Sequence, residues 1–393
     1  MAEKSVSRHR RIKMGMVGGG PGAFIGEIHR MAARLDNQIE LVCGAFSSNP
    51  EKSKQAGADL FLDPARVYDD FHQMMEKEAA LPEGERMDFV AIVTPNHMHF
   101  PPAEAALKAG FHVMSDKPAT LSLEEAVKLR GIVHETGLLY GLTHTYLGYP
   151  MVKQARAMVK DGKLGEIRKI LVEYPQGWLS QFEEGNEDNK QAGWRTDPSR
   201  SGVAGAMGDI GTHAHNLAEY ISNLTMTHVC ADLNIYVDGR KLDDDGSLLF
   251  RMDNGASGTL TASQVCAGEE NALKIKLFGE KGGLEWEQMK PFELKYKPYG
   301  DVMQIITAGV DKSNLYAEAH AACRTPSGHP EGYLEAFANL YTGFAEAIRA
   351  YDGEYRGADL IGIDEGVRGM AFIEAVVGNS NSNEKWSEIK VQG

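Results

Sequence analysis

The sequence predicts an α/β fold of two domains, the first built on a parallel sheet and the second on a mostly antiparallel sheet. An apolar run, Lys13–Val17, ends in a glycine cluster, Gly18–Gly22, and a helical pattern follows. Short apolar runs then alternate with helical patterns as far as Leu142, which favours parallel strands with right-handed crossovers. Beyond Pro150, strands follow one another with only turns between them, which favours antiparallel pairing.

In the first half, the predicted helices are delimited by local signals. Ser122 is followed three residues later by Glu125, the pattern of a capping box, and Gly137 ends the same helix. The predicted helices are Val67–Ala79, Pro102–Ala109 and Ser122–Thr136. The predicted strands are Ile39–Phe46, Asp88–Val93, Phe111–Met114 and Leu138–Leu142. The continuous apolar run Asp88–Val93 is typical of a strand buried on both faces.

In the second half, hairpin turns are predicted at Asp253–Gly255 and Glu280–Gly283. The predicted strands are Glu166–Tyr174, His228–Val237, Ser247–Met252, Ala256–Ser263, Ala272–Phe278 and Phe292–Tyr296, with a later helix at Glu331–Arg349. We place the boundary between the two patterns near Thr145–Pro150. The predicted domains are therefore residues 1–148 and 149–393.

Composition excludes several classes of protein. Against 41 Lys and Arg stand 55 Asp and Glu, a net charge of −14, which disfavours nucleic-acid binding. No apolar run is long enough to span a membrane. The four cysteines are scattered without metal-ligand spacing, so we expect no metal site and a reducing, cytoplasmic location. The basic start of the chain lacks the apolar core of a signal peptide.

The glycine cluster between strand and helix is typical of a dinucleotide-binding turn. Glycines let the backbone approach a pyrophosphate, and the following helix offers free N–H groups to it. The alternating strands and helices downstream provide the context that this motif requires.

Two polar segments follow strands directly, where ligands of open α/β sheets bind. Thr94–His99 follows the strand Asp88–Val93 and brings Thr94, Asn96 and His99 to that edge. The alternative is ordinary turn chemistry, with Asn96 capping the next helix. Ser115–Pro118 follows the next strand and presents Lys117, whose cation can polarise an oxygen beside a nicotinamide. The alternative is an ordinary surface lysine.

A third segment, Gly205–Leu217, carries a carboxylate and an imidazole. Asp209 and His213 are four residues apart, so on a helix they share one face. A carboxylate beside an imidazole holds its tautomer and raises its basicity, as a general base requires. His215 is expected to point elsewhere.

The order of these motifs, from the glycine turn through Thr94-Pro95-Asn96 and Lys117-Pro118 to Asp209 and His213, resembles the Gfo/Idh/MocA oxidoreductases. The resemblance implies a Rossmann-type domain followed by an α+β domain with a large, mostly antiparallel open sheet. It implies hydride transfer between NAD(P) and a secondary hydroxyl of a sugar or cyclitol, with Lys117, Asp209 and His213 as catalytic residues. Thr94, Asn96 and His99 match the family's cofactor-side loop, and Asp116 stands where Glu is usual.

The resemblance also implies further cofactor-binding positions. The family's third glycine fits Gly26 only with about three inserted residues, so an enlarged loop is expected over the cofactor. The additional positions are Gly18, Gly20, Pro21, Gly22, Ala23, Phe24, Ile25, Ser47, Ser48, Asp116 and Lys117. Ser47 and Ser48 provide neither an acid for the ribose hydroxyls nor an arginine for a 2′-phosphate. NAD is therefore expected, with NADP not excluded.

Substrate-side candidates are aromatic residues, which stack on sugar rings, and polar residues, which bond hydroxyls. They are Tyr149, Tyr174, Gln176, Trp178, Trp194, Arg195, His213 and His329. The alternative for the aromatic residues is a place in the core. Apolar residues on both faces of a strand, as at Leu248, Leu249 and Phe250, predict an apolar interface and a homodimer or homotetramer.

The favoured function is an NAD(P)-dependent sugar or cyclitol dehydrogenase. Two alternatives stay open. One is an NAD-dependent glycosidase that works by transient oxidation and elimination. The other is a non-catalytic sugar sensor, which needs none of the three catalytic residues.

Overall fold

The computed structural model describes residues 10–186, 189–353 and 360–391. The helices in these ranges are α1 (Phe24–Leu35), α2 (Pro50–Asp59), α3 (Phe71–Ala79), α4 (Phe100–Lys108), α5 (Leu123–Thr136), α6 (Pro150–Lys160), α7 (Lys190–Arg195), α8 (Pro198–Ser201), α9 (Thr212–Ser222), α10 (Ala317–Ala321), α11 (Tyr333–Ala350) and α12 (Ile363–Ser380). The strands are β1 (Ile12–Gly18), β2 (Ile39–Ala45), β3 (Phe89–Val93), β4 (His112–Ser115), β5 (Tyr140–Leu142), β6 (Ile167–Pro175), β7 (Met226–Asn234), β8 (Asp245–Met252), β9 (Ser257–Ser263), β10 (Lys274–Gly279), β11 (Gly282–Glu287), β12 (Glu293–Pro298), β13 (Gln304–Thr307) and β14 (Ser387–Glu388).

The chain forms two compact units. The first contains residues 1–143 and 337–367, and the second contains 144–336 and 368–393. This division differs from the predicted domains, because the later part of α11 returns to the first unit. There, Phe344 packs on Phe89 with ring centroids 5.2 Å apart, and the Tyr341 hydroxyl lies 2.6 Å from Nδ1 of His29. The sequence pattern predicted this helix but not the sheet against which it packs.

The first unit holds the parallel five-stranded sheet that the sequence predicted, in the order β2-β1-β3-β4-β5. Its central strand β3 is buried on both faces. Helix α2 was missed, although Asn49 caps it by accepting from the Lys52 N–H. Helix α3 begins at Phe71 and not at Val67, because the Asp70 side chain caps it by accepting from the Gln73 N–H at 2.9 Å.

The second unit is built on a nine-stranded sheet in the order β13-β12-β11-β10-β6-β9-β8-β7-β14. The described pairs are antiparallel except β6 with β9, which confirms the predicted mostly antiparallel sheet. Strands β11 and β13 were not predicted. The sequence predicts a turn that includes Gly282 and Gly283, but both residues begin β11. The Gly282 backbone runs so close to β12 that a Cβ there would lie 2.7 Å from the Lys297 carbonyl oxygen.

The open face of this sheet is polar, which corrects the expectation of an apolar interface. Leu248 and Phe250 point into the core, and of these three neighbours only Leu249 is exposed. Side chains alternate along a strand, so the residues directly paired across β8, β9, β6, β10, β11 and β12 share one face. That row is Leu249, Thr259, Leu171, Lys276, Glu285 and Lys295. Burial opposes the ionisation of Glu285, but bonds from Lys297 and Lys295 outweigh it and lower its pKa to about 2.

Two further searches covered the described parts of the chain. No helix there has the length and apolar character needed to cross a membrane. Those same residues contain no group of three or more His, Cys, Asp or Glu that could hold a metal ion.

Candidate active site

In the first unit, a glycine loop links β1 to α1. Gly18, Gly19 and Gly22 have φ angles of 87°, 73° and 79°, which favour glycine. A Cβ on Gly20 would lie 2.6 Å from the Phe46 carbonyl oxygen. No side chain caps the N-terminus of α1, so its first N–H groups are left for a ligand. This backbone cradle fits the pyrophosphate of a dinucleotide.

Pro21, Gly22 and Ala23 form the turn, whereas Phe24 and Ile25 belong to the first turn of α1, so the enlarged loop expected over Pro21–Ile25 is shorter than predicted. Pro21, Gly22 and Phe24 are exposed, and Ala23 and Ile25 are half-buried. The close helix–strand contact falls at Gly26, where a Cβ would lie 2.3 Å from the Gly19 Cα. Arg30 secures the loop by donating to the Gly19 carbonyl at 2.8 Å.

At the end of β2, the two predicted cofactor-side serines differ. The Ser47 hydroxyl accepts from the Asn49 N–H at 3.1 Å, so it helps to shape the turn before α2. Ser48 is exposed.

The segment after β3 forms a tight turn, with a 3₁₀ helix at Asn96–Met98. The Thr94 hydroxyl donates to the Met98 carbonyl at 2.8 Å. Asn96 is buried, and the N-cap position of α4 is taken by His99, whose side chain makes no cap bond.

His99 is enclosed by backbone. Its Nε2 lies 2.8 Å from the Thr94 carbonyl oxygen and its Nδ1 lies 2.6 Å from that of Pro118. Burial lowers the pKa of His99, so the neutral ring donates to one carbonyl at a time. His99 thus ties the β3 and β4 loops together. This position corrects the expectation that it contacts the cofactor directly.

Lys117 lies in the loop after β4 and is half-buried. The Asp116 carboxylate accepts from the Lys117 N–H at 3.0 Å and from the Thr143 hydroxyl at 2.8 Å. The Asp116 N–H donates to the Ile92 carbonyl of β3 at 2.9 Å. Asp116, predicted to bind cofactor, therefore acts on the loop itself and fixes the backbone that presents Lys117. The Lys117–Pro118 peptide bond is cis.

In the second unit, the parallel pairing of β6 and β9 assembles a polar cluster, because the carboxyl ends of both strands meet at one edge. Pro175 pairs with Ser263, which brings the next residues, Gln176 and Gln264, side by side. The Gln264 amide donates to the Asp209 carboxylate at 2.9 Å and approaches the Gln176 side-chain oxygen at 3.4 Å.

Asp209 lies in a π-helical turn, Met207–Gly211, which runs into α9. The sequence predicted one regular helix, and the wider turn changes the spacing between Asp209 and His213. Arg195 lies with its Nε 3.3 Å from the Asp209 carboxylate, and its guanidinium lies 4.3 Å over the Trp194 ring. The positive charge of Arg195 is therefore balanced within the cluster.

His213 lies in the first turn of α9, half-buried and surrounded by rings. Its centroid is 4.8 Å from that of Tyr146, 5.5 Å from His144 and 6.3 Å from Tyr174. His215 points away from His213, as expected, and lies in the core. It is 2% exposed, stacks on Phe372 at 4.3 Å and lies 3.4 Å from Glu219.

A closed ring of hydrogen bonds lies beside His213. The Tyr174 hydroxyl donates to the Asn271 side-chain oxygen at 2.6 Å, the Asn271 amide donates to the Tyr146 hydroxyl at 3.2 Å, and the two hydroxyls bond each other. Gln176 also donates to Asn271, at 2.7 Å. Burial raises the pKa of Tyr146 and of Tyr174, so both hydroxyls stay neutral.

Sequence reasoning missed Tyr146, Gln264 and Asn271. Tyr146 follows β5, so its place at the end of a strand was an available signal. Gln264 and Asn271 join the cluster through the register of β6 with β9 and the loop after β9, which no local pattern reveals.

Two predicted substrate residues lie elsewhere. Tyr149 is 1% exposed and packs against Trp286 with centroids 5.4 Å apart, so it belongs to the core. His329 is exposed in a surface loop, where Nδ1 lies 3.3 Å from the Pro326 carbonyl oxygen. Trp178 is 36% exposed, and its indole N–H donates to Gln176 at 3.1 Å. It therefore lies beside the polar cluster and stays a candidate for contact with substrate.

Comparisons with known proteins agree with this architecture. The family model for the NAD-binding Rossmann fold of the GFO/IDH/MocA oxidoreductases matches residues 12–144, and the model for their C-terminal domain matches 152–285. The oxidoreductase YfiI of Bacillus subtilis (strain 168) is 32% identical over 386 residues, covering 96% of this chain and 97% of its own.

Solved structures show the same similarity. An oxidoreductase from Sinorhizobium meliloti is 44% identical, with a TM-score of 0.87, over 96% of this chain and 100% of its own. An inositol dehydrogenase homolog from Azotobacter vinelandii, complexed with NAD+, is 34% identical, with a TM-score of 0.92, over 99% and 100%. Its complex with NADH and myo-inositol matches with 33% identity, a TM-score of 0.87 and coverage of 97% and 98%.

These matches span both units, and the glycine cradle of the first unit fits the cofactor that the family binds. The chain is an NAD-binding oxidoreductase of the Gfo/Idh/MocA family.

Proposed function

We propose that this protein uses NAD to oxidise a secondary hydroxyl of an uncharged sugar or cyclitol. The polar cluster of the second unit carries this proposal. It presents amide groups from the half-buried side chains of Gln176 and Asn271, which bond hydroxyls. The cluster contains Arg195, whose positive charge is paired with the Asp209 carboxylate. This pairing weakens the attraction of Arg195 for a phosphate or carboxylate on a substrate.

In the proposed reaction, His213 takes the proton of the hydroxyl that is oxidised. Lys117 donates a hydrogen bond to the same oxygen and stabilises its developing negative charge. Asp209 favours the protonated imidazole that results. The bound cofactor would accept the hydride from the carbon that carries this hydroxyl. The ring of Tyr146, Tyr174 and Asn271 fixes the aromatic wall beside His213.

The relative that was crystallised with NADH and myo-inositol supports a cyclitol as one substrate class. We extend the proposal to a homodimer or homotetramer that uses the open sheet face, where Glu285 is paired within the chain with Lys295 and Lys297. A cytoplasmic location is also part of the proposal, in keeping with four cysteines that are all free thiols.

The test is reduction of NAD by a panel of polyols, followed by nicotinamide absorbance. Glucose and glucose 6-phosphate form a pair that differs only in the charged 6-phosphate group, and myo-inositol represents the cyclitols. We expect at least one uncharged polyol to react, and the neutral member of a reactive pair to have a kcat/KM at least ~10-fold higher, about 1.4 kcal/mol. Preference for the phosphorylated member would contradict the neutral-substrate proposal.

The same panel, with a glycoside added, separates the alternatives. A glycosidase would release an aglycone without net formation of NADH. A sensor would bind polyols without either reaction. Either result would replace the dehydrogenase proposal.

A further inference from the structure

Asp243 is a buried carboxylate with no part in the proposed reaction. It is 8% exposed and lies in the loop between β7 and β8. Its two carboxylate oxygens accept from the Gly205 N–H at 2.6 Å and the Met207 N–H at 2.7 Å. Its carbonyl oxygen accepts from the intervening Ala206 N–H at 2.8 Å. One residue therefore holds three consecutive N–H groups.

These three N–H groups lie directly before and at the start of the π-helical turn Met207–Gly211. A helix start leaves N–H groups without partners in the helix, and a neighbouring side chain usually accepts from them. Here the acceptor comes from 38 residues away in the chain. The approach is so close that a Cβ on Gly205 would lie 2.1 Å from the Asp243 carbonyl oxygen, so glycine is required there.

The same loop reaches Asp209 by a second route. The carbonyl oxygen of Asp244 accepts from the Gln264 N–H at 2.8 Å, and the Gln264 side chain donates to Asp209 at 2.9 Å. The Asp244 carboxylate points elsewhere. It accepts from the N–H groups of Tyr236, at 2.9 Å, and Val237, at 3.0 Å.

We propose that Asp243 is a positioning residue, which holds the π-helical turn in the register that aims the Asp209 carboxylate. π-helical turns inside helices occur often at functional sites, where they redirect single side chains. Without the Asp243 carboxylate, the turn loses the acceptors that fix its first N–H groups. Asp209 and His213 then lose their fixed spacing, because the Asp209 N–H donates at 2.8 Å to the carbonyl of Gly205, which Asp243 holds. The expected change in kcat rests on the proposed function, whereas the expected loosening of the turn does not.

The test is Asp243→Asn, compared with Asp244→Asn. Asparagine keeps the shape but turns one acceptor into a donor, which then faces an N–H group. We expect kcat to fall at least ~10-fold, since small misplacements of catalytic groups are costly. The KM for NAD should stay unchanged, and a primary deuterium isotope effect on kcat should grow as the chemical step becomes slower.

Asp244→Asn is the matched control. It removes a buried carboxylate from the same loop, together with the negative charge that lies 3.2 Å from the Arg240 guanidinium, but leaves Gly205 and Met207 held. We expect its kcat to stay within ~3-fold of the unaltered enzyme, in line with a change outside the catalytic groups. Equal losses of kcat in the two variants, in proportion to their loss of melting temperature, would overturn the positioning role.

Hydrogen exchange of residues 205–213 gives a readout that needs no substrate. Asp243→Asn should speed exchange there at least ~10-fold, and Asp244→Asn should speed it at 236–237 instead. If the unaltered protein oxidises no polyol, the proposed function fails while this readout still decides the positioning role. Unchanged exchange at 205–213 in Asp243→Asn would refute it.

Discussion

Replacing His213 and His215 separately by alanine tests whether His213 serves catalysis and His215 serves the packing of α9. His213 is half-buried beside Tyr146, whereas His215 is 2% exposed and stacked on Phe372 at 4.3 Å. Removing a general base lowers rate by about 10²–10⁴-fold, so we expect His213→Ala to lower kcat at least ~10²-fold. Its effect on unfolding free energy should be about 1 kcal/mol or less, because the ring fills little of the core.

His215→Ala should show the reverse pattern. Deleting a buried ring leaves a cavity, and comparable aromatic truncations cost about 3–5 kcal/mol. We expect about 2–4 kcal/mol here because imidazole is smaller than phenyl, which lowers the melting temperature by roughly 2–4 °C per kcal/mol. Its kcat should stay within ~3-fold of the unaltered enzyme, since the ring faces the core.

The assays are steady-state NAD reduction with the best substrate of the polyol panel, a thermal melt, and NAD binding by fluorescence titration. Affinity for NAD should be the same in both variants, because neither ring lies in the glycine cradle of the first unit. An inactive His215→Ala with a normal melting temperature, beside an active His213→Ala, would refute the assignment of the general base.

Three further predictions concern the cofactor, the lysine and acid stability. Lys117→Ala should lower kcat at least ~10²-fold while NAD affinity, measured by titration, stays the same, because Lys117 acts on the reacting oxygen. NAD should exceed NADP in kcat/KM by less than ~10-fold, or about 1.4 kcal/mol, since Ser47–Ser48 carries neither an acid nor a guanidinium; an NADP preference above that ratio would contradict it. Burial opposes the ionisation of Glu219, but His215 and Arg368 outweigh it and lower its pKa to about 2. Because this pKa lies below the value of 4.5 in the unfolded chain, the ionised Glu219 stabilises the fold above pH 4.5. This stabilisation is lost as pH falls toward 2. Denaturant unfolding should show a loss of about 3 kcal/mol across that window, and Glu219→Gln should reduce this dependence.

Local pattern determined much of the first unit. Periodicity and turn chemistry act within a few residues, so they located β1, the glycine loop and α5 before any tertiary contact was known. The predicted cap of α5 is present, with the Glu125 N–H donating to Ser122 at 3.3 Å, and Gly137 ends it with a φ of 67°. The order of alternating strands and helices also placed Lys117 at the carboxyl edge of the parallel sheet, since every such strand ends at that edge.

The polar cluster of the second unit was decided by tertiary structure. Gln176 and Gln264 are 88 residues apart and meet only because β6 and β9 pair in parallel and in one register. A shift of one residue would turn these side chains to the other face. Tertiary contacts likewise separated two buried tyrosines, Tyr149, which packs against Trp286, and Tyr146, which lies beside His213. Local sequence encodes which residues form a strand or helix, but neighbours far along the chain determine which side chains meet.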